Sequence, residues 1–236
     1  MEQIPHIIHQ IWSGIDGPLP ERFQILGETW KRDYPAWDYE FWDNTRMDLF
    51  VKNNYPQYME MYNEFPYNIQ RWDAIRYLIL EKIGGMYVDF DYESIRPIDV
   101  IIKDKTCCFA SEPKEHLSIF NKNMYINNAL MGAVPDHPFI HEIIQKIFDA
   151  EWRKRPFVSK MEEVLNTTGP LFITDLLEKT NYRNEVCILP ASYVSPFSKM
   201  DVQKLLSNRY DKTFEDYLEL KLDEAYAVHY FIGTWM

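Results

Sequence analysis

The stretch GGMYVDFDYE, residues 84–93, decides how this chain is read. An apolar run, Met86-Tyr87-Val88, leads into two aspartates one residue apart. Alternate residues of an extended strand point to the same face, so Asp89 and Asp91 are expected side by side, repelling each other. Such a pair is favourable only where something positive lies close by. Immediately upstream, YNIQRWDAIRYLILEKIGG (67–85) places Ile69, Trp72, Ile75, Ile79 and Ile83 along one face of a helix. Gly84 and Gly85 end that helix. Helix, glycine turn, strand and acidic pair form the central unit of the chain.

The flanking segments extend the pattern. IPHIIHQIW (4–12) is a β-branched run and reads as a buried strand, followed by a loop over 14–20. ERFQILGETWKRDYP carries Phe23, Leu26 and Trp30 at helical spacing, and Pro35 stops it. WDYEFWD (37–43) reads as a short strand with Trp37, Tyr39 and Phe41 on one face; helices are expected over about 45–53 and 56–63. Beyond the acidic pair, TCCFA (106–110) and NNALMGAV (127–134) read as strands. A helix opening near Pro138 carries Phe139, Ile143, Ile147 and Phe148. Residues 152–160 read as a polar loop, and TGPLFITDLLEK (168–179) as a helix with Thr168 as its cap and Pro170 in its first turn. VCILP (186–190) and EAYAVHYF (224–231) are the last expected strands. Alternating strands and helices imply an α/β sandwich with a mostly parallel central sheet flanked by helices. A single domain over 1–236 is expected, with helical elaborations at about 45–66 and about 152–180. Ligands in such folds bind outside the carboxyl ends of the strands, where Asp89 and Asp91 fall.

Composition narrows the class. The formal net charge of -11 over 236 residues argues against nucleic acid as partner and against adsorption to anionic membranes. An anionic ligand would need a local patch or a metal to reverse that field. Aromatic residues reach 16%, enough to fill a core and leave a surplus for a pocket. The three cysteines are Cys107, Cys108 and Cys187, two of them adjacent, which implies neither a disulfide framework nor a metal motif. A reduced, cytoplasmic setting is expected, because the N-terminus does not read as a signal peptide and no run approaches the ~18 apolar residues of a membrane span. Contact with the inner face of the membrane would need a tail beyond Met236.

Two carboxylates with few other donors suit a hard divalent cation. Mg²⁺ and Mn²⁺ prefer oxygen, and Mg²⁺ is commonly held by one or two carboxylates with substrate phosphates and water completing the shell. A solvated acidic turn is the bland alternative. A phosphatase with Asp89 as nucleophile is a third reading. It would want the motif near the N-terminus and a second acidic pair after a later strand, and neither is found.

The ordered set of motifs resembles glycosyltransferase family 32. RWDAIRYLILEKIGGMYVDFD resembles its signature, and IPHIIHQIWSG its first strand; FWD (41–43), NNALMGAVPDHPF, TGP (168–170) and AVHYFIGTW resemble later segments in the right order. The resemblance implies a GT-A fold, a nucleotide-sugar donor, an Mn²⁺ or Mg²⁺ ion and retention of anomeric configuration. It implies that Trp12 stacks on the donor's base, that Asp73 and Arg76 hold the donor sugar or its phosphate, and that Asp89 contacts ribose or sugar hydroxyls and reaches the metal through water. Asp91 is then the direct metal ligand, with His229 as a metal or diphosphate contact. Thr234 and Trp235 would reach the β-phosphate. Asn127 and Asn128 are candidates for the sugar hydroxyls, with a turn as the alternative role. A helix-surface salt bridge is the alternative for Asp73 and Arg76, and a core role for Trp12 and His229. His6, His9, His116, His137 and His141 show no ligand spacing. A UDP-sugar is the expected donor, with GDP-mannose second, and a glycan or lipid-linked glycan the acceptor in capsular or surface-polysaccharide synthesis. A non-catalytic nucleotide-sugar-binding subunit and an effector glycosylating a host protein are the alternatives.

Overall fold

The structure is a computed structural model that describes residues 3–149 and 151–233. Strand β1 (Ile7–Ile11) is the β-branched run of the N-terminus, and helix α1 (Glu21–Asp33) follows Pro20. Strand β2 (Asp38–Trp42) leads to α2 (Asn44–Asn54), where Asp43 caps the helix by accepting from the backbone N–H of Arg46. The short α3 (Met59–Asn63) precedes α4 (Asn68–Ile83), the helix of the central unit. Then come β3 (Gly85–Val88), β4 (Tyr92–Ser94), α5 (Asp99–Ile102), β5 (Cys107–Ser111), α6 (Lys114–Ile119) and β6 (Ile126–Ala133). The last part contains α7 (Pro138–Phe148), α8 (Lys160–Thr167), α9 (Pro170–Lys179), β7 (Cys187–Leu189), α10 (Ala191–Val194), α11 (Lys199–Leu206), α12 (Lys212–Leu222) and β8 (Ala227–His229).

Six strands form the central sheet in the order β2-β1-β3-β6-β5-β7. The pairings of β1 with β2 and β3, and of β5 with β7, are parallel; β6 runs against both of its neighbours. Side chains alternate between two cores. Tyr87, Phe109 and Met131 pack toward α2, α4, α7 and α9, while Met86, Val88 and Cys108 pack toward α1 and α10. Helix α4 is buried from Asp73 through Glu81, not along one stripe only, because the sheet, α7 and α8 surround it.

The turn from α4 into β3 needs both glycines. Gly84 has φ +71° and Gly85 φ +99°. A Cβ on Gly85 would lie 2.7 Å from the carbonyl oxygen of Ile7, so no side chain fits where β3 joins β1.

Several expectations are corrected. Asp89-Phe90-Asp91 does not continue the strand: β3 stops at Val88, and the Tyr92 N–H donates to the Asp89 carbonyl at 3.1 Å to close a turn. Phe90, 6% exposed, is the apolar pin of that turn. The buried aromatic of β2 is Trp42, while Phe41, on the face shared with Trp37 and Tyr39, is exposed. Within the helical elaboration expected over about 152–180, α8 begins at Lys160, and Thr168 terminates it, so that Gly169 and not Thr168 occupies the N-cap of α9. The strand expected over 224–231 shrinks to β8, which leaves the main sheet and pairs antiparallel with β4. No helix among the described residues is long and apolar enough to cross a membrane.

Candidate active site

The carboxyl ends of β1, β3 and β5 and the first residues of β6 border one pocket of about 760 Å³. This is the end of the sheet at which α/β folds bind ligands. Each strand brings a polar group or an aromatic ring there: Trp12 after β1, Asp89 after β3, Glu112 after β5, and Asn127 and Asn128 at the start of β6. Helix α4 supplies Asp73 and Arg76, and α8 closes the side with Met161, Val164 and Leu165.

Arg76 is the centre of the arrangement. Its guanidinium lies 3.4 Å from Asp73 Oδ1 and 3.3 Å from Asp89 Oδ1. It donates to the Asn128 carbonyl at 3.0 Å and the Trp72 carbonyl at 3.2 Å, and it lies over the Tyr87 ring at 4.8 Å. Asp73 and Arg76 are only 4% and 6% exposed, which removes the helix-surface reading of this pair. Burial works against the Arg76 charge, but Asp89 and Asp73 more than offset it, and its pKa is raised. Asp73 accepts from Asn128 Nδ2 at 2.9 Å and from Thr168 Oγ1 at 3.0 Å. Burial still pushes its carboxyl up to about 6, against the pull of Arg76.

The two aspartates of the turn differ. Asp89 accepts from the Tyr87 hydroxyl at 2.5 Å, and burial raises its pKa in spite of Arg76, with Asp91 adding to the rise. Asp91 accepts from the Ile232 N–H at 2.8 Å and faces His229 Nε2 at 3.4 Å. Burial would raise the Asp91 carboxyl as well, but His229 and the Ile232 N–H hold it below its usual range. His229 arrives through the small sheet, where it stands opposite Tyr92 in the β4–β8 pairing and stacks on that ring at 4.3 Å. Burial alone would lower the imidazole; Asp91 beside it raises its pKa instead. Its Nδ1 is buried without a partner. His229 therefore stands beside Asp91 at the pocket wall, its Nε2 facing the carboxylate. Among the described residues no three His, Cys, Asp or Glu side chains converge as a metal cage.

Asn127 and Asn128 are strand residues, which removes the turn reading. The Asn127 amide donates to Glu112 Oε1 at 2.9 Å and to Tyr92 Oη at 3.2 Å, while its oxygen accepts from the N–H groups of Ala129 and Leu130. Its amide is thus committed within the protein. Trp12 is half-buried, with its indole N–H donated to the Gly17 carbonyl at 2.9 Å and its edge against Phe23. One part of its surface lines the pocket. Thr234 and Trp235 lie outside the described residues.

Three pocket residues escape motif reading: Glu112, His116 and Lys199. Glu112 Oε2 pairs with His116 Nδ1 at 2.6 Å, and His116 Nε2 accepts the Lys199 N–H at 3.0 Å. Glu112 follows the end of β5 as Asp89 follows β3, and that equivalence was the available signal. Thr168 was visible as part of TGP, but its role is to hold Asp73.

Comparison with known proteins follows this geometry. Residues 20–108 match the family described as glycosyltransferase sugar-binding region containing DXD motif. The chain is 32% identical over 178 residues to inositol phosphoceramide mannosyltransferase 1 of Schizosaccharomyces pombe, covering 74% of this chain and 51% of that one. It is 23% identical to the initiation-specific alpha-1,6-mannosyltransferase of Candida albicans, over 98% of this chain and 72% of that protein. The chain spans about half the length of the first of these relatives. Among solved structures, the PaToxG glycosyltransferase superposes with a TM-score of 0.54 at 14% identity, covering 96% of this chain and 90% of that one. That likeness concerns the fold, an α/β arrangement of the GT-A type.

Proposed function

Because this chain belongs to the glycosyltransferase family whose sugar-binding region contains a DXD motif, we propose that it moves a hexosyl group, mannosyl before others, from a nucleotide sugar to an acceptor hydroxyl. The observation that carries this reading is Arg76, a buried cation set between Asp73 and Asp89 at the floor of the pocket, with Asp91 one turn away. A nucleotide diphosphate is the ligand class that calls for both a fixed cation and an acidic pair, the latter to hold a cation of its own.

The residues fit such a divalent ion as hard oxygen donors: Asp89 and Asp91 both face the pocket, and His229 and the Ile232 N–H hold the Asp91 carboxyl below its usual range. Asp91 and Asp89 would hold it, and an Mn²⁺ or Mg²⁺ ion there supplies charge neutralisation of the departing diphosphate. Trp12 offers a flat indole to the base. Asp89 accepts from ribose or sugar hydroxyls. Arg76, already oriented by four protein contacts, donates where negative charge grows as the glycosidic bond breaks, with no reorganisation needed at that moment. Retention by front-face transfer, in which the leaving phosphate takes the acceptor's proton, suits a pocket in which Asp73, Asp89, Asp91 and Glu112 are already engaged by protein donors.

The mannosyltransferase relatives favour mannose, and thus GDP-mannose, over the UDP-sugar expected from the sequence. They also favour a lipid-borne polar head or a glycan as acceptor over a capsular polymer. The test is incubation with GDP-mannose and with UDP-hexoses, plus Mn²⁺, while nucleotide release is followed. Release of GDP from GDP-mannose is expected. Tight nucleotide binding without release would turn the reading into a binding subunit, and failure to bind any nucleotide would end it.

A further inference from the structure

Five carboxylates line the pocket, Asp16, Asp73, Asp89, Asp91 and Glu112, against two permanent cations, Arg76 and Lys199. Arg76 is already committed to Asp73 and Asp89. A donor diphosphate brings further negative charge into this acidic surface, and beside an ion on Asp89 and Asp91 one already engaged guanidinium leaves room for a second fixed cation. Lys199 differs from Arg76 in having its head group to spare. Its side chain is half-buried, yet among the described residues its ammonium makes neither a hydrogen bond nor an ion pair. The acid nearest in sequence, Asp201, is turned to the Ser198 N–H and hydroxyl at 2.9 and 2.7 Å and to the Tyr217 hydroxyl at 3.3 Å.

The backbone of Lys199, by contrast, is fixed. Its N–H donates to His116 Nε2, and Ser198, 4% exposed, caps α11 just before it. The His116 ring packs edge-on against Phe231 at 4.9 Å, and Phe231 lies 4.0 Å from the His229 ring, which faces Asp91. This chain of contacts places Lys199 on the Asp91 side of the pocket. A lysine with an anchored backbone and an unspent ammonium is suited to meet an anionic ligand group as a point charge. A solvent-facing lysine would need neither the anchor nor the pocket wall.

We propose that Lys199 binds the diphosphate of the nucleotide-sugar donor and supplies a second cation beside Arg76. The proposal rests on the glycosyltransferase reading above. It is tested by titrating the protein and its Lys199→Arg and Lys199→Gln variants with GDP, UDP, guanosine and uridine, with Mn²⁺ present throughout. For whichever diphosphate the unaltered protein binds, Lys199→Gln should weaken affinity about ten- to hundredfold, Lys199→Arg should restore it to within about threefold, and the nucleoside should bind all three alike. The melting temperature of the free variants should not move, since the ammonium makes no hydrogen bond or ion pair among the described residues. Should Lys199→Gln melt early, Lys199→Met, which keeps the apolar stem, takes its place. Unchanged diphosphate affinity in the variant overturns the assignment, and so does an equal loss for diphosphate and nucleoside. Either result, with the unaltered protein binding nucleotide, leaves the transferase reading standing; an unaltered protein that binds no nucleotide removes both.

Discussion

Thr168 donates its hydroxyl hydrogen to Oδ2 of Asp73 across 3.0 Å, joining residues 95 positions apart. Thr168 is fully buried, so the bond has no competition from water. It orients a carboxylate that in turn orients Arg76. Thr168→Val keeps the shape and removes the donor, leaving Asp73 short of one partner. A loss of about 1–2 kcal/mol in stability and about tenfold in kcat is expected, with Thr168→Ser recovering most of both. Denaturant unfolding and nucleotide-release rates on the three proteins check this.

Asp91→Asn should abolish the response of nucleotide release to Mn²⁺ while leaving the fold intact, because asparagine can still accept the Ile232 N–H but offers no anionic oxygen. A drop of at least about a hundredfold in rate at saturating Mn²⁺ is expected. A variant that still requires Mn²⁺ and turns over normally would remove Asp91 as a ligand.

Trp12→Ala should weaken nucleotide binding by about three- to tenfold, the worth of one aromatic stack, and leave the Mn²⁺ dependence where it was. Unchanged nucleotide affinity would assign the indole to packing against Phe23 alone.

Stability should fall in acid because of His9. This residue is fully buried, donates Nε2–H to the Gly84 carbonyl at 2.9 Å and accepts from Trp42 Nε1 at 3.1 Å. Burial lowers its pKa from 6.5 to about 4. The folded protein thus keeps His9 neutral where the unfolded chain takes up a proton. Its contribution is complete above about 6.5 and is lost as pH falls toward about 4, in all about 3 kcal/mol. Unfolding curves measured across that window should be flatter for His9→Gln than for the unaltered chain.

Gly85→Ala should cost about 3 kcal/mol or more, since a methyl group at φ +99° would collide with the Ile7 carbonyl and separate β3 from β1. A thermal melt close to that of the unaltered chain would show that the junction relaxes.

The central unit was legible because its signals are local. A 16-residue helix with recurring isoleucines, two glycines and an apolar strand need no distant partner to be recognised. Asp73 and Arg76 could be placed on one helix face by their spacing, but their burial could not, since it depends on α8 and on Asn128 from a remote strand. The same holds for His229. Three residues of β8 meet β4 only through a pairing 137 positions long, from Tyr92 to His229, and no local pattern encodes that. The Asp89–Asp91 turn was misread as extended because Phe90 gives the segment a strand-like alternation, while its burial bends the chain instead. The bounds of α8 inside the helical elaboration were not legible because KMEEVLNT has too few apolar residues to show a period, and its stability comes from the Ser159 cap and contact with α9.

Strand β6 runs opposite to both strands beside it, so it is entered at the pocket and leaves at the far edge. Its first residues, not its last, therefore serve the chemistry, and the connection that delivers them, residues 112–125, begins and ends at the same rim. Its first turn is tied to the donor side, Glu112 holding Asn127 and His116 the Lys199 N–H, so only its exposed middle, around Ile119, is free to change length or composition. Descendants of such a chain could acquire a new acceptor by rewriting that short stretch, while the donor machinery is inherited intact.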